Sequence, residues 1–147
     1  MIVLPEAAFP FNAYLPIYPY YQVIELLESV WGRTVDLTYL QKTPFAKEGK
    51  VSNAFLAQAL ADYYQAEVIA GLEDQAFNAA FHFSPQETVV HRTEKRVLLP
   101  LAEYLPFSFL KPLVARDGVT EFYTHGKDSK VFKGKSVAIC YEECFGY

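Results

Sequence analysis

Cys140 is the residue whose type and position best suit covalent chemistry. It follows the apolar run Val137-Ala138-Ile139, which is typical of a buried strand, and it precedes Tyr141 and Glu142. A thiol at the turn after a strand is a recurring place for an exposed nucleophile, and the N–H of the next residue can then face a developing oxyanion. A buried packing cysteine is the alternative, because free cysteines are among the most buried residues.

A nucleophilic thiol needs a base, and Glu6 is a candidate. It follows the β-branched run Ile2-Val3-Leu4 and Pro5, so it stands at the carboxyl end of a predicted strand. A glutamate there acts as a base if its surroundings raise its pKa; otherwise it is a solvated loop carboxylate. Histidine is the usual base, but the histidines show no recognisable relation to Cys140 and form no metal-ligand spacing with the two cysteines; they are His82, His91 and His125.

A third candidate is the pair Lys95 and Glu103, in the segment Lys-Arg-Val-Leu-Leu-Pro-Leu-Ala-Glu-Tyr-Leu-Pro. A lysine that leads into an apolar run can place its ammonium inside a site, and a glutamate eight residues on can hold it there. Taken without further context, a surface lysine and a solvated glutamate are the simpler interpretation.

The three segments, in this order, resemble the carbon–nitrogen hydrolase (nitrilase) superfamily. The shared pattern is strand-Pro-Glu, then Lys-x-x-Leu-x-Pro-x-x-Glu-Tyr-x-Pro, then strand-Cys-Tyr-Glu. The second and third segments look most like the apolipoprotein N-acyltransferase branch, to which conjugal-transfer proteins with the same catalytic domain are related. Val68–Gly71 and Phe77–Ala80 also resemble the family's strand-Gly and its Asn-containing strand. The resemblance extends over the chain except for about residues 10–52.

The resemblance implies a role for each site residue. Glu6 is the general base, Lys95 stabilises the oxyanion and Cys140 is the nucleophile. Glu103 matches the second glutamate, which supports the lysine, and Glu142 matches the acidic residue after the nucleophile. The N–H of the residue that follows the cysteine completes the oxyanion site. The implied chemistry forms an acyl-thioester and passes the acyl group to water or to an amine, with no cofactor and no metal.

The resemblance also implies an α/β fold of the nitrilase type, a four-layer αββα sandwich in which the site residues converge at strand ends. The family domain has elements before the glutamate strand and a substantial part after the cysteine turn. We therefore expect residues 1–147 to be a partial carbon–nitrogen hydrolase domain, lacking N- and C-terminal parts. Ala102 stands where the branch usually has glycine, and Leu101 where an aromatic is common; neither touches the chemistry.

The hydrophobic spacing predicts the elements that position these residues. Strands are predicted at 2–4, 67–71, 77–83, 87–91 and 136–140, and helices at 21–30 and 53–64. Ser52 is the predicted N-cap of the second helix. Its predicted apolar face consists of Phe55, Leu56, Ala59, Leu60 and Tyr63. Residues 33–50 are expected to form a loop with one short strand.

Composition narrows the class of protein. The chain of 147 residues is 52% hydrophobic and 20% charged, which suits one ordered domain. Its net charge of −4 argues against a general nucleic-acid binder, although residues 92–135 are locally basic. The sequence contains no run of about 18 apolar residues, the length that a transmembrane helix needs, and it shows no signal-peptide pattern. Two cysteines are too few for a disulfide-rich scaffold.

Two apolar loops stand out in a sequence that is 16% aromatic. Residues 9–21 contain six aromatic residues and three prolines, which exclude a regular helix or central strand, and residues 105–113 form a second such loop. Each loop either packs over the protein's own core or forms a surface that meets lipid, an acyl chain or a partner. In a lipid-using enzyme we expect both to contact the membrane.

Three functional hypotheses follow. The first is an acyltransferase that moves an acyl group from a phospholipid to an amine such as a lipoprotein N-terminus, in a bacterial inner-membrane protein whose catalytic domain faces the periplasm. The second is a soluble amidase or nitrilase in the cytoplasm, with water as the acceptor. The third is a degenerate domain with no retained catalysis, kept as an assembly or transfer module as the likeness to conjugal-transfer proteins permits. Cys144 lies past the predicted turn and is expected to be a packing residue.

Overall fold

The computed structural model describes residues 1–107 and 122–128, together with the backbone of 132–133 and 138–139. Cys140, Tyr141, Glu142 and Cys144 lie outside the described residues. The elements in chain order are β1 (Ile2–Val3), β2 (Tyr18–Pro19), α1 (Tyr20–Trp31), a 3₁₀ helix (Thr38–Lys42), β3 (Ala46–Lys47), β4 (Lys50–Val51), α2 (Asn53–Tyr64), β5 (Val68–Asp74), β6 (Phe77–Phe83), β7 (His91–Glu94), β8 (Phe132–Lys133) and β9 (Ala138–Ile139).

Among the described residues, the main sheet has four strands in the order β1-β5-β6-β7. β1 runs parallel to β5, whereas β5, β6 and β7 are antiparallel neighbours. A mixed sheet with two helices is an α/β-type fold, as predicted. The β5–β6 hairpin pairs Val68 with Phe83 and Asp74 with Phe77, and its turn contains Gln75 in a left-handed conformation (φ 54°).

The hydrophobic core lies on one face of this sheet. Alternate strand residues point to the same face, so Leu72 of β5 and Ala79, Phe81 and Phe83 of β6 meet there. α2 packs against this face, and it is buried around most of its circumference rather than along one stripe. Its buried residues are Asn53, Ala54, Phe55, Ala57, Gln58, Ala59, Ala61 and Asp62. The narrower face predicted for α2 was therefore incomplete, and Leu56, Leu60 and Tyr63 are only partly buried.

Both helices form where the sequence predicts them. α1 ends at Gly32, whose left-handed conformation (φ 65°) lets its N–H donate to the Glu28 carbonyl. α2 has the predicted bounds, but the Ser52 side chain does not cap it, and the Ser52 hydroxyl is buried without a hydrogen-bond partner among the described residues. Residues 9–21, the aromatic loop, provide a partner for this helix end instead, because the Ala54 N–H donates to the Ala13 carbonyl at 2.9 Å.

The strand predicted at 87–91 is wrong in position. β7 begins at His91, which lies opposite His82, and residues 87–90 form no ladder. The Gln86 N–H donates to Asp62 Oδ1 of α2 at 2.6 Å, and the Glu87 N–H donates to the Ser84 carbonyl at 3.2 Å. Because the start of this segment bonds to α2 and to its own turn, pairing with β6 begins later.

Part of the aromatic loop packs over the protein's own core, and part of it forms an exposed surface, so both alternatives predicted for residues 9–21 apply. Ala13 is buried, and Phe9, Tyr14, Tyr18 and Tyr20 pack against the core. Phe11, Leu15 and Tyr21 are exposed. Beyond this loop, residues 33–50 contain one strand more than predicted, because β3 and β4 pair with each other and β4 also pairs with β2. No helix in the described part of the chain has the length and apolar character needed to cross a bilayer.

Candidate active site

β1 delivers Glu6 to one edge of the main sheet. The Leu4 N–H donates to the Ile69 carbonyl at 2.7 Å, and the Gly71 N–H donates to the Pro5 carbonyl at 3.3 Å, so the chain follows β5 up to the proline. Ala7 then adopts a left-handed conformation (φ 51°) that interrupts the strand, and the Ala8 N–H donates to the Gly71 carbonyl at 3.1 Å. Glu6 therefore stands at the turn where the strand ends, and its side chain is 37% exposed.

Lys95 extends the pairing of β6 and β7 by one residue, since its N–H donates to the Asn78 carbonyl at 2.8 Å. Asn78 in turn lies opposite Glu73 of β5. Because residues that lie opposite each other in a sheet share a face, Glu73, Asn78 and Lys95 form a row across β5, β6 and the end of β7. This charged row lies on the face opposite the core.

A tight turn presents Glu103 to the same place. The Glu103 N–H donates to the Leu99 carbonyl at 2.9 Å, and the Leu99 N–H donates back to Glu103 Oε2 at 2.7 Å. Leu101 within the turn has a left-handed backbone (φ 67°).

Lys95 joins the two predicted glutamates. Its Nζ lies 2.9 Å from Glu6 Oε1 and 2.8 Å from Glu103 Oε1, and its side chain is only 4% exposed. Three of the residues singled out from the sequence therefore form one cluster, although Glu6 and Lys95 stand far apart in the chain. A buried ammonium can stabilise a nearby anion, and Glu6 is the more exposed of the two carboxylates, at 37% against 10% for Glu103.

Asn78 belongs to the same cluster, although its sequence position did not mark it as a site residue. Its Nδ2 donates to Glu103 Oε1 at 3.1 Å and also to Glu6 Oε1. The side chain is buried within an otherwise apolar and aromatic strand. A polar residue within such a strand, one position after its start, was the available signal, because a buried amide requires partners.

Charge and hydrogen bonds determine the ionisation of Glu103. Burial opposes its ionisation, but hydrogen bonds from Lys95, the Leu99 N–H and Asn78, with the charge of the ammonium, hold the pKa of Glu103 below its ordinary value. Ionised Glu103 therefore fixes the lysine ammonium from the buried side.

The remaining candidates do not join this cluster. His82 is buried 3.7 Å from Glu67 and stacks on His91, and His125 Nδ1 lies 2.8 Å from the Arg96 carbonyl. Within 1–107 and 122–128, no group of three or more potential ligand side chains could hold a metal. The placement of Cys140, Tyr141 and Glu142 relative to Lys95 remains a prediction.

The chain is similar over its whole length to curated apolipoprotein N-acyltransferases. It is 29% identical over 166 aligned residues to the protein of Chlamydia pneumoniae, and 28% identical to those of Chlamydia muridarum and Chlamydia trachomatis. It spans 28% of the length of each relative. No protein-family profile and no solved structure matches the chain. The comparison thus relates the whole chain to one part of named acyltransferases.

Proposed function

We propose that this chain carries the reactive residues of an acyltransferase of the carbon–nitrogen hydrolase superfamily, which transfers an acyl group from a phospholipid to an amine through Cys140. The observation that carries the proposal is the buried Lys95 ammonium held between Glu6 and Glu103. The similarity to named apolipoprotein N-acyltransferases supports the substrate class. A nitrilase-type sandwich, of which the chain is a part, is the proposed architecture.

In the proposed first half-reaction, Glu6 takes the proton of the Cys140 thiol and the thiolate attacks the ester carbonyl carbon of a phospholipid. The tetrahedral oxyanion forms beside Lys95 Nζ and the N–H of Tyr141. When the intermediate collapses, the C–O bond breaks and Glu6 returns the proton to the departing lysophospholipid oxygen. The acyl group is then a thioester on Cys140.

In the second half-reaction, Glu6 accepts a proton from the amine as its nitrogen attacks the thioester carbonyl. Lys95 and Tyr141 again stabilise the oxyanion, the C–S bond breaks, and the thiolate recovers the proton from Glu6. Glu103 and Asn78 keep the lysine and the base in place throughout, and Glu142 is a proposed supporting residue beside the nucleophile.

The proposed setting is the periplasmic face of a bacterial inner membrane. The exposed side chains of Phe11, Leu15 and Tyr21 support membrane contact through residues 9–21. Phe107 is also exposed, in the second apolar loop at 105–113, of which residues 108–113 lie outside the described part. Because the chain spans 28% of its relatives' length, activity and partners are proposed for the protein as the cell makes it.

The test is to incubate that protein with phospholipid and no amine, and to locate any acyl adduct by peptide mass spectrometry. We expect a thioester on Cys140, none in Cys140→Ser, and an unchanged adduct in Cys144→Ser. Glu6→Gln is expected to prevent its formation. An adduct on Cys144, or one that forms normally in Glu6→Gln, contradicts the assigned roles.

Two other outcomes identify the other hypotheses. Release of ammonia from a small amide with no lipid dependence favours the soluble amidase. If no adduct forms and Cys140→Ser retains the biological phenotype, the assembly module is favoured.

A further inference from the structure

Residues 122–128 form a short segment, the strap, that runs beside the cluster of Lys95 and Glu103. The Tyr123 N–H donates to the Glu103 carbonyl at 2.8 Å, and the Gly126 N–H donates to the Lys95 carbonyl at 2.9 Å. The two members of the buried ion pair are therefore each held through their backbone by one short segment.

The strap fits this place closely. The Thr124 N–H donates to the carbonyl of Ala76 in the β5–β6 turn at 2.6 Å, so the strap also bonds to the main sheet. A Cβ atom on Gly126 would lie 2.5 Å from the Glu94 carbonyl oxygen and 2.8 Å from the Glu94 Cβ. The absence of a side chain at Gly126 is thus what permits the contact beside Lys95.

The Tyr123 side chain adds another attachment, besides that of His125, whose Nδ1 lies 2.8 Å from the Arg96 carbonyl. Its hydroxyl donates to Glu73 Oε1, and Glu73 is the member of the charged row opposite Asn78. Burial, the hydrogen bond to Glu73 and the charges of Glu73, Glu103 and Glu6 all raise the pKa of Tyr123. The hydroxyl therefore keeps its proton and remains a donor at neutral pH.

We infer that Tyr123 is a positioning residue for the proposed reaction: its hydroxyl bond to Glu73 and its N–H bond to Glu103 fix the turn that holds Glu103 against Lys95. Through this turn, Tyr123 sets where the ammonium stands relative to the oxyanion. The inference rests on the proposed function for its catalytic readout, and it makes a structural prediction that does not depend on that function.

The catalytic test uses Tyr123→Phe, which removes the hydroxyl and keeps the ring. We expect the maximal rate of thioester formation to fall about tenfold to a hundredfold, the effect of losing a hydrogen bond to a charged group, with no change in the phospholipid concentration that gives half the maximal rate. Glu73→Ala should have the same effect. Glu73→Gln should recover most of the rate, because its side-chain oxygen still accepts the bond.

The matched control is Tyr39→Phe. Tyr39 also donates to a carboxylate, Asp62 Oδ2, at 2.5 Å, but this pair lies between the 3₁₀ helix and α2, near the core face. We expect Tyr39→Phe to leave the rate of thioester formation unchanged. A second control is the Lys95→Ala background, in which Tyr123→Phe should cause little further loss because the group it positions is gone.

The structural test measures backbone hydrogen exchange in peptides that contain residues 95–107 and 122–128. We expect Tyr123→Phe to speed exchange in both peptides by about tenfold, since the strap loses an attachment, and Tyr39→Phe to leave both unchanged. Unchanged exchange in Tyr123→Phe overturns the inference whether or not the protein forms a thioester. If Tyr123→Phe speeds exchange but the wild-type protein forms no thioester, the result supports the anchoring by Tyr123 and contradicts the proposed function. Faster exchange with a wild-type rate of thioester formation contradicts the positioning role.

Discussion

The two faces of the main sheet are built from the same strands and hold very different groups. On the core face, Leu72 and Phe81 pack against α2 and the aromatic loop. On the other face, Glu73, Asn78 and Lys95 lie in a row. Asn78 and Lys95 both contact Glu103 Oε1, and Glu73 accepts a hydrogen bond from the Tyr123 hydroxyl. Residues one position apart along a strand therefore belong to a hydrophobic core and to a candidate active site.

The contrast shows what each face contributes. Apolar burial is non-directional and supplies most of the stability, whereas a buried ion pair contributes little net stability and depends on accurate geometry. Asn78 shows why the two are linked: Ala79 and Phe81 of the same strand are core residues, so the core fixes the strand that aims the Asn78 amide at Glu6 and Glu103. We expect changes on the two faces to have separable effects.

The largest expected effect on stability comes from the core face. Phe81→Ala removes a fully buried ring and should lower the free energy of unfolding by about 3–5 kcal/mol. The folded fraction should form the Cys140 thioester at nearly the wild-type rate. Urea unfolding and single-turnover acylation measure the two quantities, and exposed Val89→Ala is the control with little effect on either. A large loss of rate in folded Phe81→Ala would show that the faces are not separable.

The matching change on the site face is Lys95→Ala. It should slow thioester formation by about 10²–10³-fold, the usual cost of removing one oxyanion donor. Lys47→Ala is the control, because Lys47 pairs with Glu48 in an exposed ion pair. Single-turnover acylation followed by mass spectrometry gives both rates. Equal rates in Lys95→Ala and Lys47→Ala would remove Lys95 from the mechanism.

Asn78 allows a sharper test on one side chain. Asn78→Ala should lower the free energy of unfolding by about 1–3 kcal/mol, because Glu6 and Glu103 lose a buried donor. Asn78→Asp should be more harmful at neutral pH, since it places a third carboxyl group between two others. Urea unfolding at neutral and acidic pH compares the variants, and the gap between them should narrow on acidification. Wild-type stability of Asn78→Asp at neutral pH would contradict the described contacts.

The smallest expected effect concerns pH. Hydrogen bonds and the Lys95 charge hold the pKa of Glu103 below its ordinary value of 4.5. Ionised Glu103 therefore stabilises the fold above about pH 4.5, and this contribution is lost as the pH falls through the lower, folded value. The advantage of wild type over Glu103→Gln should accordingly shrink as the pH falls below about 4.5 in urea unfolding experiments. In the Lys95→Met background that pH dependence should be weaker; the same dependence there would contradict the assigned cause.

Sequence patterns predicted the elements that carry strong local signals. α1 and α2 showed helical spacing with a glycine or serine at one end, and the run Phe77–Phe83 was found with its observed bounds. The start of β7 was predicted too early. Residues 87–90 have a strand-like sequence, but the Gln86 N–H bonds to Asp62 and the Glu87 N–H bonds to the Ser84 carbonyl of the local turn. Such competition between partners is a tertiary effect that periodicity does not contain.

For the site, the resemblance carried by three ordered motifs selected Glu6, Lys95 and Glu103, which residue type and spacing alone left open. Neither revealed what holds these residues in place. The strap attaches to Lys95 and Glu103 through backbone N–H groups, which any residue type except proline can supply, so no sequence signal marks it. The pairing of Tyr123 with Glu73 likewise depends on the sheet register that sets Glu73 beside Asn78.

Cys140 is proposed to react beside the cluster of Glu6, Lys95 and Glu103. Alkylation of the cysteines by iodoacetamide at neutral pH tests this placement without any lipid. An ammonium next to a thiol favours the reactive thiolate, so Cys140 should react about tenfold faster than Cys144 and should lose this advantage in Lys95→Ala, while Cys144 is unaffected. If Cys140 reacts no faster than Cys144 and is indifferent to Lys95→Ala, the cluster and the cysteine do not form one site.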